Sequence, residues 1–307
     1  MDISRKRIAI FVGLTFLFTY GIEFFIWLKG GLSISNIQLA LMGIMLIPAM
    51  CSILTRKLTN EGRADMWLNP NLRRNYKAYL AAWFLPIVFI AIGAVLYFLI
   101  FPDRYDSEFN LIRNSMALLD PNGKELTHTD LINVILLQLG SAVLLAPILN
   151  FIPSLGEELG WRGYLFPKLL QVTSRKMAVI LSGVIWGLWH APLIAMGYNY
   201  GVGYQLFPLP GILGMILNCF LLGAFMCYLT LKTSSVLAAT IVHGAYNGAA
   251  NSGILFLNGT LNPFIGPLPI GIIGGIGWLL AGLWSFFKID SVKLVPEEIE
   301  SGSKLAL

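Results

Sequence analysis

Eight apolar stretches, most of about the length that crosses a bilayer, leave this chain few folds to choose from. A helix spanning the hydrocarbon core needs about 20 mostly apolar residues. Backbone out of reach of water has to satisfy its own hydrogen bonds, as a helix does. The candidate spans run from Ile8 to Leu28, Ile37 to Leu54, Tyr79 to Phe101, Leu131 to Ile152, Met177 to Met196, Ile212 to Leu231, Val236 to Leu257 and Leu268 to Phe287. With 56% hydrophobic and 12% charged residues, the chain carries about half the charge of an ordinary soluble domain. The expected fold is all-α, a polytopic transmembrane helical bundle of about eight spans, with 1–307 forming a single integral membrane domain.

The distribution of Lys and Arg orients the bundle, because cytoplasmic connections carry the excess of positive charge. Arg5, Lys6 and Arg7 precede the first span; Arg56, Lys57, Arg63, Arg73, Arg74 and Lys77 follow the second; Lys168, Arg175 and Lys176 follow the fourth. Lys232 follows the sixth, and Lys288 and Lys293 the eighth. With eight spans all of these share one side, so both termini are expected in the cytoplasm. The net charge of +5 then serves topology and lipid headgroups, and nucleic acid is not expected as a partner. The other side holds Lys29 and an acidic extracytoplasmic loop, 102–130, whose Asp-Pro-Asn-Gly at 120–123 is turn chemistry.

Cys51, Cys219 and Cys227 each lie in an apolar run without paired spacing, so neither a disulfide framework nor a thiolate metal site is indicated. The basic start, Met1 to Arg7, leads into an apolar run longer than a signal-peptide core and reads as a retained first span. The C-terminal Lys304-Leu-Ala-Leu307 contains no Cys and is not a prenylation signal. The glycines between Gly266 and Gly282 suggest close helix packing.

Ionisable residues within such spans are costly and usually functional. Glu23 stands near the outer end of its span, where a carboxylate is expected to reach the interface. His128 belongs to the acidic loop and is expected to be solvated. The others concentrate in three places. Gly156-Glu-Glu-Leu-Gly-Trp-Arg-Gly163 places Glu158 and Arg162 at i, i+4, where they share a helix face and form an ion pair. Glu157 points about 100° away. Trp186 and His190 share a face one turn apart, just before Pro192, and His243 and Asn247 do the same two spans later, with Asn251 another turn on. Each pair alone is explained as polar contact between helices.

Together, Glu-Glu-x-x-x-Arg, aromatic-x-x-x-His and His-x-x-x-Asn resemble the CPBP superfamily, which includes type II CAAX prenyl endopeptidases and bacterial relatives linked to bacteriocin processing and immunity. The resemblance covers about 131–253, the catalytic-motif core. Family members often carry Phe at the aromatic position, where this chain has Trp186. The resemblance implies an intramembrane endopeptidase acting on a membrane-associated substrate, CAAX-type and prenylated in some relatives; with no recognisable organellar address, a bacterial cell membrane is the expected location. It implies Glu157 as general base assisted by His190, with His243 and Asn247 polarising the scissile carbonyl, and the residue types suit those roles. Glu158 and Arg162 would support Glu157.

No cofactor is expected. Two histidines and a glutamate are also a ligand set for catalytic zinc, here Glu157, His190 and His243, although no His-Glu-x-x-His lies on one helix. Two other classes stay open: a proton-coupled transporter using Glu157, His190 and His243 as a relay, and a non-catalytic scaffold or immunity protein using them as glue. Against the transporter, no internal repeat is visible. One geometric difficulty accompanies every reading. His243 lies about 10 Å along its span and His190 about 20 Å along its own, so straight helices would hold the imidazoles at different depths.

Overall fold

The computed structural model describes residues 2–62, 66–120 and 126–293. Arg63, Lys124, Glu125, positions 121–123 of the expected turn and the Lys304–Leu307 tail lie outside the described residues. Among those described, every regular element is a helix, apart from an isolated antiparallel bridge between Tyr105 and Leu257. In order they are α1 (Ile3–Leu28), α2 (Ile37–Ile44), α3 (Ile47–Leu58), α4 (Leu72–Ile100), α5 (Asn110–Leu119), α6 (His128–Leu144), α7 (Ala146–Leu149) and α8 (Phe151–Gly160). Then follow α9 (Phe166–Leu170), α10 (Arg175–Trp189), α11 (Ala191–Ala195), α12 (Leu209–Thr233), α13 (Val236–Ala249) and α14 (Ile276–Lys288).

Four of the expected spans are long and apolar enough to cross a bilayer as helix: α1, the pair α2–α3, α4 and α12. The other four are short or interrupted. Pro147 sits in the first turn of α7 and Pro192 in that of α11, where each lacks the N–H that a continuous helix would need. After α13 the chain continues as a 3-10 turn, Ser252–Phe256. The eighth apolar stretch is helical only from Ile276, because Pro267, Pro269 and the glycines from Gly266 to Gly275 form turns. Of the expected glycine contacts, Gly277 lies against the Phe89 backbone of α4 and Gly282 against Leu221 of α12; the remainder shape these turns.

Two sets of contacts define opposite ends of the bundle. At one end, Ser4 Oγ donates to Gln171 (2.7 Å), the Val236 amide to Trp67 O (2.9 Å), and Arg175 Nη1 to Val292 O (2.8 Å). Glu61 gathers Arg7 (3.2 Å), Arg56 and Lys168 there and accepts from Tyr164 Oη (3.0 Å). At the other end, the Asp106 amide donates to Phe256 O (2.9 Å) and the Asn258 amide to Arg104 O (2.8 Å). The 102–130 segment packs here. Asp106 caps α5, and Phe109 and Ile112 bury against Leu131 and Ile135 of α6. His128 is exposed, as expected of a solvated residue, and its ring also stacks on Phe109.

Glu23 departs from its expected place at the interface. It is fully buried, because the inner face of α1 carries Phe11, Thr15, Thr19 and Glu23 at four-residue spacing. Neither carboxylate oxygen has a hydrogen-bond partner among the described residues.

Glycine permits the closest crossings. A Cβ at Gly187 of α10 would lie 2.5 Å from Ile216 Cα of α12, and one at Gly183 would lie 2.7 Å from Phe220 Cα, whereas one at Gly13 meets nothing within 4 Å. Gly187→Ala is therefore expected to destabilise the protein by about 1–3 kcal/mol, the usual range for overpacking. Gly13→Ala is expected to be neutral or slightly stabilising. Thermal unfolding of both variants in one detergent measures the difference.

Candidate active site

The polar motifs meet around a cavity of ≈ 490 Å³ whose lining includes Glu157, Trp186, His190, Cys219, His243 and Asn247. Glu157 is carried on α8, which begins after the break at Pro147. Its α-helix passes into a π-helical turn, Trp161–Leu165, and such turns are frequent at functional sites. Gly156 and Gly160 lie one turn apart on the face toward α3. A Cβ on Gly156 would meet Met45 O at 2.7 Å, and one on Gly160 would meet the Pro48 backbone. Two of the three glycines of the motif thus let α8 sit against α3, with the carboxylates directed elsewhere.

The adjacent carboxylates face different partners. Glu157, 2% exposed, receives two indole N–H groups on Oε2, from Trp186 (2.8 Å) and Trp161 (3.3 Å). Glu158, fully buried, pairs with Arg162 at 3.0 Å and with His243 Nδ1 at 2.8 Å. The expected ion pair is present, but it is part of a three-residue unit that fixes His243 rather than Glu157. The Arg162 guanidinium also lies 4.3 Å over the Trp186 ring. A Cβ at Gly223 of α12 would come within 2.8 Å of Arg162 Nη2, so glycine at that position makes room for the guanidinium.

His190 caps α10. Its Nδ1 lies 2.9 Å from Trp186 O, and since a carbonyl only accepts, Nδ1 carries the proton and Nε2 is left with a lone pair. On His243 the Glu158 carboxylate likewise accepts from Nδ1–H, leaving Nε2 for other work. Asn247, one turn beyond, is exposed in the cavity wall and has no hydrogen bond among the described residues.

The two imidazoles differ in exposure, His243 being buried and His190 half-buried. Both line the same cavity, and the Trp186 ring lies 5.4 Å from the His243 ring and 6.0 Å from that of His190.

Trp161 was not among the residues singled out in the sequence, although its i+4 spacing from Glu157 is the signal that would have found it. Cys219, whose Sγ is 3.8 Å from His190 Nδ1, carried no such signal. As for zinc, among the described residues no group of three or more His, Cys, Asp and Glu is placed to hold one metal ion, and no step below is routed through one.

Comparison with known proteins matches residues 138–249, which contain all three motifs, to the family described as type II CAAX prenyl endopeptidase Rce1-like. A relative described as CAAX prenyl protease 2, from Methanococcus maripaludis, is 28% identical over 250 residues, covering 76% of this chain and 82% of its own. That relative is archaeal; it supports an integral membrane protein without bearing on the expected bacterial source.

The burial of Arg162 and Glu158 sets a measurable expectation. Removing one partner of a buried pair strands the other charge, at about 3–5 kcal/mol. Arg162→Met should lose stability on that scale, and the double variant Glu158→Gln/Arg162→Met should regain part of it. Thermal unfolding of the two in detergent decides; equal losses would contradict the pairing.

Proposed function

We propose that this chain, which is similar to CAAX-protease-like proteins of the CPBP family, hydrolyses peptide bonds of membrane-associated substrates in the cavity between α8, α10 and α13. The observation that carries this reading is the division between neighbouring carboxylates. Glu158 is occupied by Arg162 and His243, whereas Glu157 is held on one oxygen by neutral indole donors and lines the cavity. A carboxylate oriented by neutral hydrogen-bond donors, with its second oxygen unengaged, is suited to take a proton.

In the proposed reaction, water bound between Glu157 Oε1 and His190 Nε2 attacks the scissile carbonyl and passes its proton to Glu157. His243 and Asn247 donate to the carbonyl oxygen as negative charge develops on it. For His243 Nε2 to donate while Nδ1–H faces Glu158, the ring holds both protons, and its charge then sits against the Glu158 carboxylate. Glu157 returns the proton to the leaving amine as the C–N bond breaks, so the cycle closes without an external acid. A prenylated CAAX-type substrate, as the relative's description names, is one member of this class. The same residues acting as a transporter relay or as structural glue would leave no cleaved product.

Glu157→Gln is expected to lower cleavage by 10²-fold or more, the usual scale for a general base, with the protein still folded in the membrane. Comparing membrane peptides from cells with the intact protein and with this variant reads it out; unchanged cleavage would remove Glu157 from the reaction. Trp186→Phe keeps the ring beneath Arg162 but removes the N–H to Glu157. It is expected to lower kcat by roughly 10- to 100-fold with little change in KM, as misplacement of a catalytic group does.

A further inference from the structure

The first helix lies outside the matched residues 138–249, yet its inner face reaches both halves of the site. Phe11, Thr15, Thr19 and Glu23 follow one another at four-residue spacing and so form one stripe on α1. At the start of that stripe the Phe11 ring stands edge-on to Trp161, 5.7 Å away. Two turns further along, Thr19 Oγ1 accepts the indole N–H of Trp189 at 2.8 Å. Both indoles are buried, and they meet each other at 5.8 Å with their planes 72° apart. Trp161 donates to Glu157 Oε2, and the Trp189 ring lies 4.8 Å from that of His190, nearly perpendicular to it. One run of contacts therefore joins α1 to the proposed base and to the histidine that assists it.

The backbone around His190 draws on the same helix. Pro192 has no N–H for Leu188 O, the carbonyl one turn before it, and Tyr20 Oη donates to that oxygen at 2.6 Å. The His190 amide turns to Gly187 O at 3.2 Å, which leaves Trp186 O to the imidazole Nδ1 at 2.9 Å. Two supports of His190 thus come from adjacent residues of α1: Thr19 through the Trp189 ring, and Tyr20 through the Leu188 carbonyl. Consecutive helix residues point about 100° apart, so the two reach the last turn of α10 from different directions.

We infer that Thr19 and Tyr20 are positioning residues for His190, which makes α1 part of the apparatus of the site although neither residue touches the reacting atoms. The expected effect on turnover rests on the reading of the site as a protease; the placement of the ring does not. A buried indole N–H that loses its acceptor is costly, and in a close-packed interior the Trp189 ring turns only by displacing His190 and Trp161. The cavity lining includes Trp189 and His190 but neither Thr19 nor Tyr20. Loss of either contact from α1 therefore moves a reacting group and leaves the surface that binds substrate in place.

Imidazole NMR signals of the histidine-labelled protein in lipid test the placement without reference to catalysis. Thr19→Val removes the acceptor while nearly keeping the side-chain volume, Thr19→Ser keeps the acceptor, and Tyr20→Phe removes only a hydroxyl. Thr19→Val and Tyr20→Phe are expected to shift the His190 resonances, which lie in the ring-current field of Trp189, and to leave those of the exposed His128 unchanged. Thr19→Ser is expected to keep the parent spectrum. Thr15→Val is the control, since Thr15 Oγ1 donates to Phe11 O within α1 at 2.7 Å. Unshifted His190 signals in Thr19→Val and Tyr20→Phe would overturn the inference, as would an equal shift in Thr15→Val. If Thr19→Val does not fold, Tyr20→Phe decides by the same criterion. A second arm measures turnover of a peptide that Glu157→Gln leaves uncut. There kcat is expected to fall roughly 10-fold in Thr19→Val, with KM within about twofold, and to return in Thr19→Ser. A kcat that holds while His190 moves, or that serine does not restore, contradicts the positioning role. Shifted His190 signals with no such peptide found would keep the placement and reject the protease reading instead.

Discussion

Two opposite charges buried where no water reaches them organise this bundle. Arg162 and Glu158 are fully buried and 3.0 Å apart, and such a pair is tolerated only when its geometry is good and the remaining polar atoms find partners. Here that demand is met only in part, since Glu158 Oε2 and Arg162 Nε and Nη2 find no hydrogen-bond partner among the described residues, and three other parts of the chain crowd around the pair. His243 of α13 takes one oxygen of Glu158, the Trp186 ring of α10 lies beneath the guanidinium, and Gly223 of α12 leaves room for it. Four separate parts of the chain thereby meet around a single charge pair, and the same contacts hold His243 in the cavity wall.

Fixing Glu158 in this way separates it from its neighbour. Consecutive residues on a helix diverge by about 100°, so one carboxylate turns toward the ion pair and the other toward the cavity. Two indole N–H groups orient Glu157 without neutralising it, and the breaks at Pro147 and Pro192 put irregular backbone around the cavity, where such backbone is tolerated in a membrane protein. The helix interruptions and the polar site answer the same requirement, that unsatisfied backbone and polar side chains face an enclosed space rather than lipid.

Much of this could be read from residue order. Long apolar runs announce a helical membrane protein, and the i, i+4 spacing of Glu158 and Arg162 predicts their contact because one helix supplies both partners. Contacts between helices were less visible. Nothing in the spacing of His243 indicates that Glu158, 85 positions earlier, is its partner. Glu23 was expected at the interface from its position along α1, but its neighbours at four-residue spacing turn it into the core. Hydropathy also overstates continuity: the stretch from Leu131 to Ile152 is mostly apolar, yet it is divided among three helices, with Pro147 in the first turn of the second. Nor does the spacing announce that the Trp186 ring stands beside both His190 and His243.

The chain contains 3 histidines, so nitrogen-15 NMR of the selectively labelled protein in lipid resolves each ring. The hydrogen-bonding arrangement predicts a strongly hydrogen-bonded Nδ1–H on His243 that changes sharply in Glu158→Gln and hardly at all in Glu157→Gln, with His190 protonated on Nδ1 in all three proteins. A His243 signal that responds to Glu157→Gln and ignores Glu158→Gln would contradict the division of roles between the two carboxylates.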